Sequence, residues 1–415
     1  GHGLNPAPLS GDVTREDGAT QKLLEELGRV IGFAAGLPEA SDGLALLGHS
    51  MAADIVVRGA MRHEAADATV AVSMFSPAPT ANAPSNLLII VGDWEGSLKE
   101  EARRVLQQAT GEDAVAGQTY DDLGPAGARR IAFAPNVEHI GVLYSPDAMR
   151  EATDWLNRVF EHEGTGYADA RGPWVLLLIF STVALGWPLA RLLPLLADAP
   201  QGAGLHGRRF WAVALAPMLL TPLVLVPLDL RFLPVAVGDY LATHFALYGL
   251  LTAAALQWVG GPGIWRGLRP PCAALWAASA VAAYGILAIG GVVDWQVSSF
   301  WPTLQRLGLL VALLPGTLIY FAADEWLTRG HGLPRGAYAL TKLCFLASLA
   351  IAIALDLPRL FFLIIMAPAM LLFFTVFGLV SGWCRTETNH PAVGALANAS
   401  IFALAIAVTF PMLAG

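Results

Sequence analysis

From Trp174 onward, apolar segments of about 17 to 25 residues follow one another with only short polar interruptions. A soluble core has no use for such a series. Each segment, wound as a helix at about 1.5 Å per residue, reaches across most of a hydrocarbon layer about 30 Å thick. Spans are expected near 174–196, 210–228, 235–259, 272–293, 307–323, 337–355, 360–384 and 391–414, eight in all. The sixth contains Lys342 and the first contains Arg191 near its end. Trp174, Trp258, Trp265, Trp295, Trp301, Trp326 and Trp383 fall near segment ends, where indole rings suit the membrane–water boundary.

The front of the chain answers to a different solvent. Residues 1–172 carry 13 Lys and Arg against 25 Asp and Glu, whereas residues 173–415 carry 12 against 8. A boundary near 172/173 therefore separates an acidic, water-facing domain from a transmembrane one. The acidic balance would repel nucleic acid, so that partner is excluded. Cys272, Cys344 and Cys384 all lie in the apolar part without metal-ligand spacing. No metal, cofactor or disulfide framework is expected, and oligomeric state is not legible.

Within 1–172, helical patterns alternate with short apolar runs, as in a parallel sheet covered by helices. Helices are expected over 21–37, 51–63, 97–109 and 146–162, and strands over 44–47, 69–75, 87–91 and 130–133. The near-continuous apolar strands suit a sheet buried on both faces. Three polar features follow strands. The first strand runs into Gly48-His49-Ser50-Met51-Ala52, close to the G-x-S-x-G turn that exposes a nucleophilic serine, with alanine in the last place. The third ends in GDWEGS, which sets Asp93 and Glu95 at a strand's C-terminal edge, where open parallel sheets build their sites. The fourth is followed by APNVEHIGVLYS, which puts His139 in a loop. Serine, acid and histidine then follow in that order, with Asp93 and Glu95 both open as the acid. His49 and His63 read as structural or surface residues and His2 as a turn residue.

In that order the chain resembles the α/β-hydrolase superfamily over about 160 residues. The resemblance implies Ser50 as nucleophile, His139 as proton carrier and the Met51 N–H as one oxyanion donor. It favours Glu95, three residues after Gly92, as the acid that orients the histidine, with Asp93 in reserve. The opening GHGLN is similar to the R-G-H-G-x-S stretch that follows the fourth strand in many members. On that alignment the four strands here correspond to strands five to eight. About 60 to 100 residues would then precede Gly1, together with the loop that gives the second oxyanion N–H. Phe75 and Leu87 are separated by only SPAPTANAPSN, too short for the lid many relatives carry there, so the membrane half is a candidate cover.

The expectation is a membrane-integral serine esterase, lipase or thioesterase acting on an acyl ester or lipid-like substrate, with membrane lipids as its surroundings. Two other readings use the same residues: an acyltransferase, and a lipid-binding or transport protein whose hydrolase-like domain has lost its chemistry. Arginines set the expected orientation. Arg208, Arg209, Arg266, Arg269, Arg329, Arg335 and Arg385 follow odd-numbered spans, against Arg231, Arg306 and Arg359 after even-numbered ones. The acidic domain is therefore expected on the non-cytoplasmic side. Asp229, Asp239, Asp294, Asp356, His244 and Tyr248 share that side, and Asp324, Glu325 and Lys342 the other.

Overall fold

A computed structural model of the chain describes residues 4, 5, 7–9, 16–40, 43–111, 115–121, 126–164, 166–263 and 271–413. The GHG of the opening motif, with His2, and Trp265, Arg266 and Arg269 lie outside them. Two compact units divide the chain, one over Leu9–Val175 and the other including Leu176–Gly415.

The first unit is built on β1 (Ala45–His49), β2 (Ala68–Val72), β3 (Leu87–Gly92), β4 (Thr119–Tyr120) and β5 (Arg129–Ala134), in the order β1-β2-β3-β5-β4. All neighbours are parallel except β4 on β5. Every residue of β2 and β3 is buried, which explains why ATVAV and LLIIVG show no polar alternation. Side chains of period two divide between the faces. Ile89, Val91 and Ile131 point toward α2 (Met51–Arg62) and α3 (Gly96–Thr110), whereas Leu88, Ile90 and Ala132 pack with Trp155 of α4 (Pro146–Val159). The helix α1 (Gln21–Ala35) rests on α2 near the edge strand β1, through Ile31, Leu46 and Val56. Two residues of β4 had no apolar run to announce them. β2 ends at Val72 rather than Phe75 because Ser73 turns the chain with a φ of +51°.

The second unit is helical. Among the described residues, seven helices are long and apolar enough to cross a membrane: α5 (Gly172–Ala190), α6 (Gly207–Leu225), the stretch Pro271–Gln296, α10 (Leu304–Thr328), α11 (Ala337–Leu355), α13 (Phe362–Thr388) and α14 (Ala392–Thr409). Pro271–Gln296 comprises α8 (Pro271–Ala283), a π-helical segment and α9 (Gly290–Gln296), and α12 (Leu357–Leu360) is a single turn. Seven of the eight expected segments thus meet that standard. The exception is α7 (Gly238–Trp258), a helix of 21 residues whose Asp239, His244, Tyr248 and Gln257 dilute its apolar character. Most of those polar groups lie inside the bundle, because α7 is inserted among other helices. Asp239, His244 and Tyr248 are all buried.

Glycines permit that insertion. A Cβ at Gly249 would lie 2.6 Å from the Tyr320 backbone, and one at Gly316 would lie 2.4 Å from the Ala242 carbonyl oxygen. Only hydrogens fit between α7 and α10 at these points. Arg306, read from sequence as a loop residue, instead lies in the first turn of α10. It is buried and donates to the carbonyls of Ala407 (2.6 Å) and Phe410 (2.9 Å), which α14 leaves without partners as it ends. Arg385 likewise belongs to α13 rather than to a loop.

Candidate active site

β1 hands the chain to α2 through Ser50, whose backbone sits at φ 56°, ψ −122°, a region that residues with a side chain rarely occupy. The turn is held from both sides. Ser50 N–H donates to Val72 O of the neighbouring strand (2.9 Å), and Ser50 O accepts from Ala53 N–H (2.9 Å). Its tightness accounts for Gly48, where a Cβ would fall 2.4 Å from the Ala52 carbonyl oxygen. That approach involves the Ala52 backbone, so a methyl on residue 52 does not obstruct it. As the first residue of α2, Met51 has a backbone N–H with no acceptor inside the helix.

Three side chains meet beside this turn. The Ser50 hydroxyl is 2.8 Å from His139 Nε2, and His139 Nδ1 is 2.5 Å from Glu95 Oε1. The imidazole is thereby bracketed. Glu95 is itself fixed through its second oxygen, which accepts from Ser73 Oγ (2.7 Å) and from the Gly92 backbone N–H (2.7 Å). Its side chain is 6% exposed, so one carboxylate oxygen is committed to orientation and the other to the ring. Gly92 is needed for this arrangement, since a Cβ there would lie 2.7 Å from Val137 O and 2.9 Å from Glu95 Oε2.

Asp93 takes no part in the constellation. It pairs with Lys99 at 2.8 Å and is half exposed. The two acids diverge because Gly92, Asp93 and Trp94 form a turn, with Asp93 N–H on Ala134 O and Trp94 N–H on Val137 O. That turn directs Glu95 back over the end of β3.

Two further residues support the constellation. Ser73 falls inside an expected strand with no sequence signal of its own, and its positive φ turns its hydroxyl onto Glu95. His49 is structural, as the sequence suggests: it donates from Nε2 to the backbone carbonyl of His139 (2.8 Å), and the two rings lie 4.8 Å apart. Burial holds the His49 imidazole below its ordinary range. His63 is remote in role, packing at the end of α2 against Gly28 of α1.

The surroundings are apolar. Met51, Phe75, Trp94 and Ile140 are exposed, and each stands within two residues of Ser50, Ser73, Glu95 or His139. Among the described residues there is no group of three or more His, Cys, Asp or Glu placed to hold a metal ion. No protein-family model, no curated protein and no solved structure matches the chain.

Proposed function

We propose that the chain is a membrane-bound serine hydrolase that cleaves acyl esters, with an α/β-hydrolase-like first unit. The observation that carries this reading is the unbroken hydrogen-bonded series from Ser50 to His139 to Glu95. A serine hydroxyl is a weak nucleophile until a base takes its proton, and an imidazole does so only in the tautomer that leaves Nε2 free. Glu95 fixes that tautomer by accepting from Nδ1–H, and it stabilises the imidazolium formed when Ser50 attacks. His139 then returns the proton to the leaving alkoxide, giving an acyl-serine and a free alcohol. Water, deprotonated by the same imidazole, releases the acid and restores Ser50. The Met51 N–H is the donor for the oxyanion of each tetrahedral intermediate.

The exposed Met51, Phe75, Trp94 and Ile140 favour an acyl chain over a polar substrate, because burial of such a chain against them removes apolar surface from water. The measurement is labelling of the full chain with a fluorophosphonate probe. Wild type is expected to label and Ser50→Ala to remain unlabelled; wild type that stays unlabelled, or labelling that survives Ser50→Ala, removes the catalytic reading.

A further inference from the structure

The helical unit holds polar groups that this chemistry does not use. Asp324 and Lys342 form an ion pair in which the two side chains are 5% and 3% exposed. Next to it, Glu325 bonds Arg329 at 2.9 Å and accepts from Ser381 Oγ (2.8 Å) and Asn398 Nδ2 (3.3 Å), which join α10 to α13 and α14. Near a membrane boundary, as the sequence places them, such charges either reach back to water or pair. Here they are paired and buried, and ionisable groups kept inside a membrane bundle mark ion and proton pathways.

From that cluster, protonatable groups continue toward the other end of the bundle. Lys342 Nζ lies over the ring of Tyr338 (3.9 Å) and near that of Tyr320 (5.6 Å). The Tyr320 ring is 5.7 Å from that of Tyr248, which is 6.1 Å from His244 on the same face of α7. His244 Nδ1 meets the Tyr240 hydroxyl at 3.4 Å, and Arg359, paired with Asp356 at 2.8 Å, lies over the Tyr240 ring. The Asp356–Arg359 pair is about 30% exposed. At the opposite end, Arg329 and Tyr338 line a cavity of about 450 Å³ between the end of α10, the start of α11 and α13. From Lys342 to Asp356 along α11 the rise is about 21 Å, most of the thickness of a hydrocarbon layer.

A second observation concerns the middle of this file. His244 Nε2, Tyr248 Oη, Tyr320 Oη and Ser348 Oγ are buried without a hydrogen-bond partner among the described residues. Buried polar atoms are rarely left so, and four on three mutually packed helices call for small mobile donors and acceptors between them. The rings of His244, Tyr248 and Tyr320 neighbour one another, which gathers three of these atoms in one buried region.

We propose that α7, α10 and α11 enclose a water-bridged proton path through the bundle, with Asp324 as its central proton-binding group. A proton arriving through the Tyr338 cavity adds to the Asp324 carboxylate and loosens its bond to the Lys342 ammonium. It leaves through Tyr320, Tyr248, His244 and Tyr240 toward Asp356, and its departure restores the ion pair. The groups facing Asp324 are Tyr320 and Glu325 on α10, Tyr338, Thr341 and Lys342 on α11, and Tyr248 on α7; Arg329 neutralises Glu325, so one negative charge remains for the proton and Lys342 to share. The driving force is the pH difference across the membrane.

The test uses the full chain reconstituted in liposomes that contain a pH-sensitive dye, with potassium and valinomycin to carry compensating charge. After an external pH step, wild-type liposomes should equilibrate several-fold faster than protein-free ones. Asp324→Asn and His244→Phe should return the rate to the protein-free level. His244→Phe keeps an aromatic ring without a titratable nitrogen and leaves the ion pairs intact, so it guards against failure of the other variant to fold. The proposal is overturned by wild-type rates equal to the protein-free rate, by an unchanged rate in folded His244→Phe, or by simultaneous escape of a second trapped dye, which would signify a general leak.

Discussion

Ser50 has a backbone that ordinary serines avoid, and its neighbours are chosen to keep it there. The Cβ-free Gly48 and the Val72 carbonyl hold the turn, while Ser73 and Gly92 hold Glu95. A carboxylate that aligns a tautomer is worth far more to rate than to binding. Glu95→Gln is expected to lower turnover of an acyl ester by about three to four orders of magnitude with KM little changed. Asp93→Asn, which breaks only the pair with Lys99, should stay within about twofold of wild type; steady-state kinetics on the two variants compares them directly. His49 gives a pH signature. Burial lowers its folded pKa, so the fold favours the neutral ring; its contribution is complete above the unfolded value of about 6.5 and is lost as pH falls through the lowered folded value. Between about pH 7 and about pH 5 the melting temperature of wild type should therefore fall more than that of His49→Gln, which keeps an N–H for the His139 carbonyl.

At the scale of elements, helices and buried strands were legible where period and apolarity agreed. GDWEGS and APNVEHIG were placed at strand ends by the apolar runs before them, and this brought Glu95 and His139 to the same edge as Ser50. What spacing alone could not divide was Asp93 from Glu95, because that depends on a turn whose hydrogen bonds reach Ala134 and Val137, about 40 residues away in sequence. β4 was invisible because two residues carry no period. Seven helices meet a hydropathy criterion that α7 does not, because such an average assumes that a helix faces lipid and α7 packs largely against other helices. Its packing gives a test. Gly249→Leu forces a side chain into the Tyr320 backbone, and it should destabilise the full chain in detergent by about 2 kcal/mol, seen as a lowered thermal-unfolding midpoint. Leu250→Ala, one residue further on an exposed face, should change it little.

For the molecule as a whole, charge and apolarity shift together near residue 172. The structure divides the chain close by, at Val175 and Leu176. Orientation rests on arginines, several of which prove to be helix-bound or paired, and it calls for direct measurement. With the acidic unit outside, a cysteine introduced at Glu100 on α3 should react with an impermeant maleimide added to intact cells. One introduced at Arg335, between α10 and α11, should react only after lysis. The reverse pattern would place the acidic unit in the cytoplasm.

In α14, 83% of the most apolar window is buried, against 22–44% in the other six apolar helices, and it is packed between α10, α8 and α13. Its alanines and Gly394 make that possible by letting neighbours approach closely. Yet α14 follows those neighbours in the chain, so it leaves the ribosome after them. Until it arrives, Glu325 lacks Asn398, Arg306 lacks the Ala407 carbonyl, and the surfaces of α10 and α8 that α14 covers have only lipid against them. Among these helices the one at the centre is thus made after the neighbours it holds together, and α8, α10 and α13 gain their buried faces only when α14 enters the space between them.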